Sequence, residues 1–238
     1  MDKRKRLISL VLKYHGDYNR LLKAISENEE VIECSQQKCL TIFDDEYPQV
    51  FHELKYPPLV LFYRGNLELL KQEKKIAVVG SRNASDYALK ATRDLCLHYS
   101  DRVIVSGLAK GIDAMAHQYA SKTIGVIGCG IDYIYPYCNK ELFRMVEKEG
   151  LILSEYPGMT KPQAYHFPFR NRLIAALGDT VYIMQSSQKS GTMSTINEAL
   201  ELGRDIKVLP YNIYSPEGEY NNHLINEGAQ MIEKEEIV

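Results

Sequence analysis

From Lys74 onward the chain repeats one pattern: a short apolar run, then a glycine-bearing loop, then a segment with apolar residues at helical spacing. The runs are "IAVV" (76–79), "VIVS" (103–106), "IGVI" (124–127), "LILS" (151–154), "VYIM" (181–184), "IKVL" (206–209) and "QMI" (230–232). None alternates polar and apolar residues, as a strand with one wet face would. Strands of this kind, separated by helices, form a parallel sheet covered on both faces. The helical segments carry their own signatures. Ala84, Ala88, Ala91, Leu95 and Tyr99 share one face of the first, "AMAHQYA" marks the second, and a third starts near Asn139 and is stopped by Gly150. "RLIAAL" follows a proline-marked loop, and Met193, Ile196 and Leu200 define a further helix that Gly203 ends. The expected fold is α/β: an extended Rossmann-like, doubly wound, mostly parallel sheet.

Ahead of it, residues 1–45 read as a small helical subdomain, with residues 46–238 as the main domain. Leu7, Leu10, Val11 and Tyr14 recur at helical spacing. Asp17 can cap a second helix with Leu21, Leu22 and Ile25 on its apolar face, and Ser26 can cap a third. Three such helices have little core of their own and are expected to lean on the main domain. A hinge-like stretch follows, where Pro57-Pro58 forces extended backbone before the strand "LVLFY".

Composition narrows function by exclusion. Twenty-nine Lys+Arg against 31 Asp+Glu give a formal net charge of -2. A polyanion would therefore have to be held by a local cluster rather than a global field. Five scattered cysteines without a C-x-x-C pair imply neither a disulfide framework nor a zinc site. No apolar run reaches the length of a membrane span, and the start lacks a long apolar core and a cleavage site, so the cytoplasm is the expected compartment.

In a doubly wound sheet, ligands sit beyond the carboxyl ends of the strands. There the sequence delivers "GSRN" with Arg82, "GLAKGID" with Lys110 and Asp113, "GCGIDYIYP", and "QSSQKSGTMS" with Lys189, Ser190 and Gly191 opening a helix. "FPFRNR" opens another helix from the same rim, and its neighbouring Arg170 and Arg172 are otherwise hard to explain, since adjacent guanidiniums repel. Glycine lets backbone N–H groups approach an anion, and helix N-termini add partial positive charge. Arg82, Lys110, Arg170, Arg172 and Lys189 are thus expected to converge on one anion-binding edge. Nucleotide-cofactor signatures are missing: Tyr133 stands where a dinucleotide fingerprint needs Gly or Ala, and there is no G-x-x-x-x-G-K-[ST] loop. No cofactor and no metal are expected. His117, among apolar helix neighbours, reads as a hydrogen-bonded core residue, and His166 reads as structural before the basic rim. Ser106 and Ser190 have no visible partners that would make them nucleophiles.

These segments resemble the DprA/Smf family. "YP" (47–48), "PPLVLFYRGN", "VVGSR", "SGLAKGID", "AH" (116–117), "GVIGCGIDYIYP", "LSEYPG", "HFPFRNRLIA", "KSGTMSTINEAL", "GR" (203–204) and "NHLINEGA" occur in that family's order, over roughly residues 47–232. The resemblance implies a non-enzymatic homodimer that binds single-stranded DNA, protects it during natural transformation and helps load the recombinase RecA. It implies DNA-binding cations at Arg82, Lys110, Arg170 and Arg172, and the DNA site expected around them is Gly80, Ser81, Arg82, Lys110, Gly111, Phe167, Arg170, Asn171, Arg172, Lys189, Ser190 and Gly191, with Phe167, Phe169 or Tyr165 placed to stack on exposed bases. The pattern is departed from at Gln185, where Glu is frequent, at Tyr211 and Ala88, where Gly is usual, and in the longer loop "SPEGEYNN". No winged helix of the kind many members carry is expected within the 238 residues.

Two rival readings stay open. "KSGTMSTINEAL" is also similar to the G-G-x-G-T-x-x-E loop of LOG-type nucleoside-monophosphate phosphoribohydrolases. Gly191 and Thr192 match, while Lys189 and Ser190 replace glycines and Glu198 falls about two positions late. The other rival is a DprA-like module that senses a nucleotide or a partner.

Overall fold

A computed structural model of the chain describes residues 2–31, 33, 35–188 and 190–237. Nine strands form one sheet in the order β1-β2-β6-β5-β4-β3-β7-β8-β9. They are β1 (Cys39–Thr41), β2 (Val60–Gly65), β3 (Lys75–Gly80), β4 (Val103–Ser106), β5 (Lys122–Gly130), β6 (Leu151–Tyr156), β7 (Thr180–Gln185), β8 (Asp205–Val208) and β9 (Gln230–Met231). The pairs from β6 through β9 are parallel, whereas β1–β2 and β2–β6 are antiparallel. The sheet is therefore mostly parallel, as the unalternated apolar runs required. All four residues of β4 are buried.

The helices are α1 (Lys3–Lys13), α2 (Tyr18–Ser26), α3 (Asp86–His98), α4 (Ile112–Tyr119), α5 (Lys140–Glu149), α6 (His166–Leu177), α7 (Thr192–Glu201) and α8 (Glu219–Asn226). Alternate residues of each strand feed opposite faces of the sheet. Ala77, Val79, Val105 and Ile183 pack with Leu173, Ile174 and Leu177 of α6 and Ile196 of α7. Ile76, Val78 and Ile104 pack with α3 and α4. Ser85 caps α3 by accepting from the Ala88 N–H, and Ala88, Ala91 and Leu95 form its buried face. Every residue from Arg172 to Leu177 is buried, and each large apolar side chain among them contributes about 1.5–3 kcal/mol over exposure.

The chain climbs outward from β3 through β4, β5 and β6, then returns through α6 to β7 on the other side of β3. This reversal opens a crevice at the carboxyl ends of β3 and β7, where an open α/β sheet takes its ligand.

The N-terminal helices do lean on this body. Leu7, Leu10, Val11, Leu21 and Ala24 share a core with Val60, Phe62, Phe143, Val146 and Ile152. Two details differ from the sequence expectation. Ser26 caps no third helix: it ends α2, its hydroxyl donates to the Lys23 carbonyl, and Asn28 then turns the chain with φ 52°. Leu22 is exposed rather than on the packed face. The chain instead runs on to β1, which lies inside the first 45 residues yet pairs into the sheet. The proline-rich stretch is packed, with Phe51 fully buried and the Tyr47 hydroxyl donating to the Pro58 carbonyl at 2.8 Å.

Candidate nucleic-acid interface

The loop after β3 is clamped on two sides. The Ser81 N–H donates to the Gln185 carbonyl of β7 at 2.8 Å, and the Ser81 carbonyl accepts from Ile112 N–H of α4 at 3.2 Å. Gly111 makes the second contact possible. Its φ is +71°, and a Cβ there would stand 2.3 Å from the Ser81 carbonyl oxygen. Two loops are thereby pressed together so that Arg82 and Lys110 stand at the surface, both exposed.

The "RNR" triplet, at the start of α6, resolves into three different jobs. Arg170, 4% exposed, donates to the carbonyls of Gly107, at 2.9 Å, and Val126, and through Nε to the Asn171 side chain. Asn171 in turn donates to the Gly191 carbonyl at 3.1 Å and to Ser194 Oγ at 2.8 Å, tying α6 to the start of α7. Arg172, 2% exposed, makes a two-pronged ion pair with Glu155 of β6 at 2.6 Å on each arm. It also donates to the carbonyls of Tyr56 and Phe169 and lies 3.8 Å over the Phe169 ring. Burial opposes its charge, but Glu155 more than offsets this and raises the guanidinium above its usual range. The expectation that both arginines stand on an open rim is therefore corrected: Arg172 is committed to the interior. Its carboxylate is Glu155, while Asp179, the carboxylate nearest in sequence, accepts from the Lys75 backbone.

A basin of about 820 Å³ opens between these loops. Gly80, Ser81, Arg82, Phe167, Arg170, Asn171, Ser190 and Gly191 all line it, so eight of the expected site residues meet in one place. Arg172 does not line it, and Gly111 supports it from behind. Lys110 lines an adjoining recess of about 220 Å³ that shares Arg82, Phe167 and Arg170 with the basin. Lys189 lies outside the described residues. At the mouth, Arg82 sits 5.2 Å over the Phe167 ring, and Tyr135 tilts against that ring at 5.6 Å. The N-terminus of α7 meets the basin through Gly191 and Thr192; no atom lies within 4 Å of a Cβ built on Gly191. Cations, peptide N–H groups and rings facing one cavity suit a phosphate chain carrying exposed bases.

Asp113 and Tyr135 are among the lining residues that the site expected from sequence did not include. Asp113 is buried beside Arg170, with Gly107 wedged between the two side chains. Burial pushes its carboxyl up, and the Arg170 guanidinium pulls the other way. Tyr135 was findable by the logic that found Arg82, since it follows the carboxyl end of β5 in "GCGIDYIYP".

The polar residues expected to be structural have partners that explain them. His117 is fully buried. Its Nε2 accepts from the Leu108 N–H, and its Nδ1 donates to Thr123 Oγ1, whose own hydrogen goes to the Ile104 carbonyl. Burial lowers its pKa to about 3, Arg170 adding to the effect, so the ring stays neutral. His166 stacks on Tyr156 at 3.9 Å, and Ser106 donates to the Val78 carbonyl at 2.6 Å. Glu198, the acid that the phosphoribohydrolase reading needs, does not line the basin. Among the described residues, no group of His, Cys, Asp or Glu could hold a metal ion, and no helix is long and apolar enough to cross a membrane.

Comparison with known proteins agrees with this geometry. Residues 38–238 match the family model described as DNA recombination-mediator protein A. DNA processing protein DprA of Streptococcus pneumoniae is 43% identical over 197 residues, covering 81% of this chain and 70% of that protein. The Bacillus subtilis protein of the same name is 39% identical over 201 residues, covering 81% and 67%. The solved S. pneumoniae DprA superposes with a TM-score of 0.80 at 36% identity, over 96% of this chain and 89% of that one. DNA processing protein A of Helicobacter pylori, solved to show its single-stranded DNA binding mode, gives 0.77 at 35% identity, over 84% and 93%. The fold, the ordered motifs and these matches agree, and the chain belongs to the DprA/Smf family of DNA processing proteins.

Proposed function

We propose that this chain binds single-stranded DNA, protects it as it enters the cell in natural transformation, and helps load the recombinase RecA onto it. The observation that carries the binding step is the basin: exposed Arg82 and Lys110 flank half-buried Phe167 at the mouth of a cavity that the N-terminus of α7 also lines. Cations in recessed loops suit a flexible strand that bends into them, and the ring gives unpaired bases a stacking surface. A rigid duplex would need a protruding helix shaped for its major groove. Delivery to RecA and assembly as a homodimer rest on family membership.

No catalytic step is assigned. The phosphoribohydrolase reading loses ground because Glu198 lies away from the basin, toward Lys55 and Arg172. For the dimer, the apolar-rich C-terminal segment 222–232, "NHLINEGAQMI", is a weak candidate interface. Leu224, Ile225 and Ala229 pack on the chain's own core, while Ile213 and Tyr214 in the preceding loop are 86% and 91% exposed. The loop therefore offers more free apolar surface to a second copy than the helix does.

The test is binding of a labelled single strand of about 20 nucleotides, against its duplex, in a salt series from about 0.05 to 0.2 M. The expected result is much tighter binding of the single strand, with affinity falling as salt rises. Equal or better duplex binding would refute the reading. Light scattering at micromolar concentration tests the dimer, and a monomer there contradicts it.

A further inference from the structure

Three of the departures from the family pattern, Gln185, Tyr211 and the longer loop, meet at one place beside the basin. Gln185, at the end of β7, is 7% exposed. Its Oε1 accepts from the Ser85 N–H at 2.8 Å, from Ser85 Oγ and from the Tyr211 hydroxyl. A backbone N–H can only donate, so the amide orientation is fixed and Nε2 is the group left over. Nε2 has no hydrogen-bond partner among the described residues. Tyr211 is held as firmly, exchanging two hydrogen bonds of 3.0 Å with Asn222, and Gly218 leaves room for its ring. The buried Asn221 pins α8 to the end of β7 through Ser186 N–H and the Leu209 carbonyl. The longer loop is therefore a built wall.

Behind that wall lies a cavity of about 460 Å³, lined by Gln185, Glu217, Glu219, Tyr220 and His223. It shares Ser81 and Ser190 with the basin, so the two cavities adjoin at the carboxyl edge of the sheet. Its chemistry is the inverse of the basin's. Glu217 and Glu219 offer only acceptors and repel phosphate. Tyr220 and His223 offer a tilted pair of rings 5.5 Å apart. A strand in the basin has room to turn a base into this cavity, where the two carboxylates oppose its backbone.

We propose that this cavity reads one nucleobase of the bound strand and prefers a base with an exocyclic amine, cytosine above all, over thymine. The cytosine N4 amine donates to a carboxylate, while its neighbouring acceptors face the Gln185 Nε2 donor. Thymine turns the O4 acceptor toward the same carboxylates and has only its N3–H to give them, so it pairs with them less well. Tyr220 supplies stacking that any base can use, so the discrimination falls on the glutamates. The inference rests on the reading of the basin as a single-strand site.

The experiment compares oligo-dC and oligo-dT of about 20 nucleotides by fluorescence anisotropy, above neutral pH, for the wild type and for the Glu217→Gln/Glu219→Gln double variant. Both glutamates are exposed, and thermal melting confirms that the variant is folded. The wild type is expected to bind oligo-dC about tenfold tighter than oligo-dT, and the double variant to bring that ratio close to one. Equal affinities in the wild type, or a preference untouched by the double substitution, overturn the base-reading cavity while the basin reading stands. A wild type that binds neither oligonucleotide removes both.

Discussion

The mouth of the basin and the wall behind it contain the same residue types put to opposite uses. Arg82 and Lys110 are exposed, whereas Arg170 and Arg172 are 4% and 2% exposed. A cation in water keeps its charge available, and a phosphate that meets it releases counterions. A buried guanidinium has already given its hydrogens to carbonyls or to a carboxylate. Charge on a rim is thus a matter of accessibility as much as of sequence. The arginines of "RNR" shape the site: Arg170 forms its floor, and Arg172 fixes the helix from which Phe167 projects.

That contrast makes the wall fail by unfolding and the mouth fail by losing ligand. The largest effect is expected at Arg172. Replacing Arg172 or Glu155 by Ala strands a buried charge, which costs about 3–5 kcal/mol by chemical denaturation. The Arg172→Met/Glu155→Leu double variant should recover most of that loss, because no charge is left unpaired. A single variant within about 1 kcal/mol of wild type would show that the pair does not hold the wall.

The next effect comes from acid. His117 supports the loop carrying Lys110, and its folded pKa of about 3 lies below the value of about 6.5 for an unfolded histidine. The unfolded chain therefore takes the proton more readily. The stabilisation is complete above about pH 6.5 and drains away as pH falls toward about 3. Thermal melts across that range should show the decline beginning well above the carboxylate range. The His117→Gln variant should be less stable at neutral pH and flatter below it, and parallel curves for the two proteins would remove His117 from the account.

The mouth should give smaller and cleaner changes. Phe167→Ala is expected to weaken single-strand binding by about 1–3 kcal/mol, the usual worth of one stacked base. Arg82→Ala and Lys110→Ala should leave stability within about 0.5 kcal/mol. Each should flatten the dependence of log affinity on log salt by about 0.7. An unchanged slope in both would detach the mouth from phosphate binding and erase the contrast with the wall.

Much of the fold was readable because its signals are local. Apolar runs of four residues marked the inner strands, glycine ended those of β3, β4 and β5, and Gly150 and Gly203 marked helix ends. The partners of buried charges were not readable, because they come from strand order. Glu155 is on β6, 17 residues before an arginine on α6 that looked like a rim cation. Sequence brought eight of the residues that line the basin together as a set of loop ends but could not sort exposed cations from buried ones. The third helix expected at Ser26 failed for a smaller reason: a serine can cap the helix after it or bond back to the helix before it, and spacing does not distinguish the two.

The shared core of α1, α2 and α5 bears on how the molecule can be divided. The family match begins at residue 38, and by sequence likeness alone that is a natural place to cut. Yet Val60, Phe62 and Ile152 of the sheet, with Phe143 of α5, lie under Leu7, Leu10, Val11 and Leu21. Removing the first 37 residues would strip the lid from an apolar surface, which would then recruit other chains. The unit that the family model spans is smaller than the unit whose core is closed, and whoever expresses this protein in parts should follow the second.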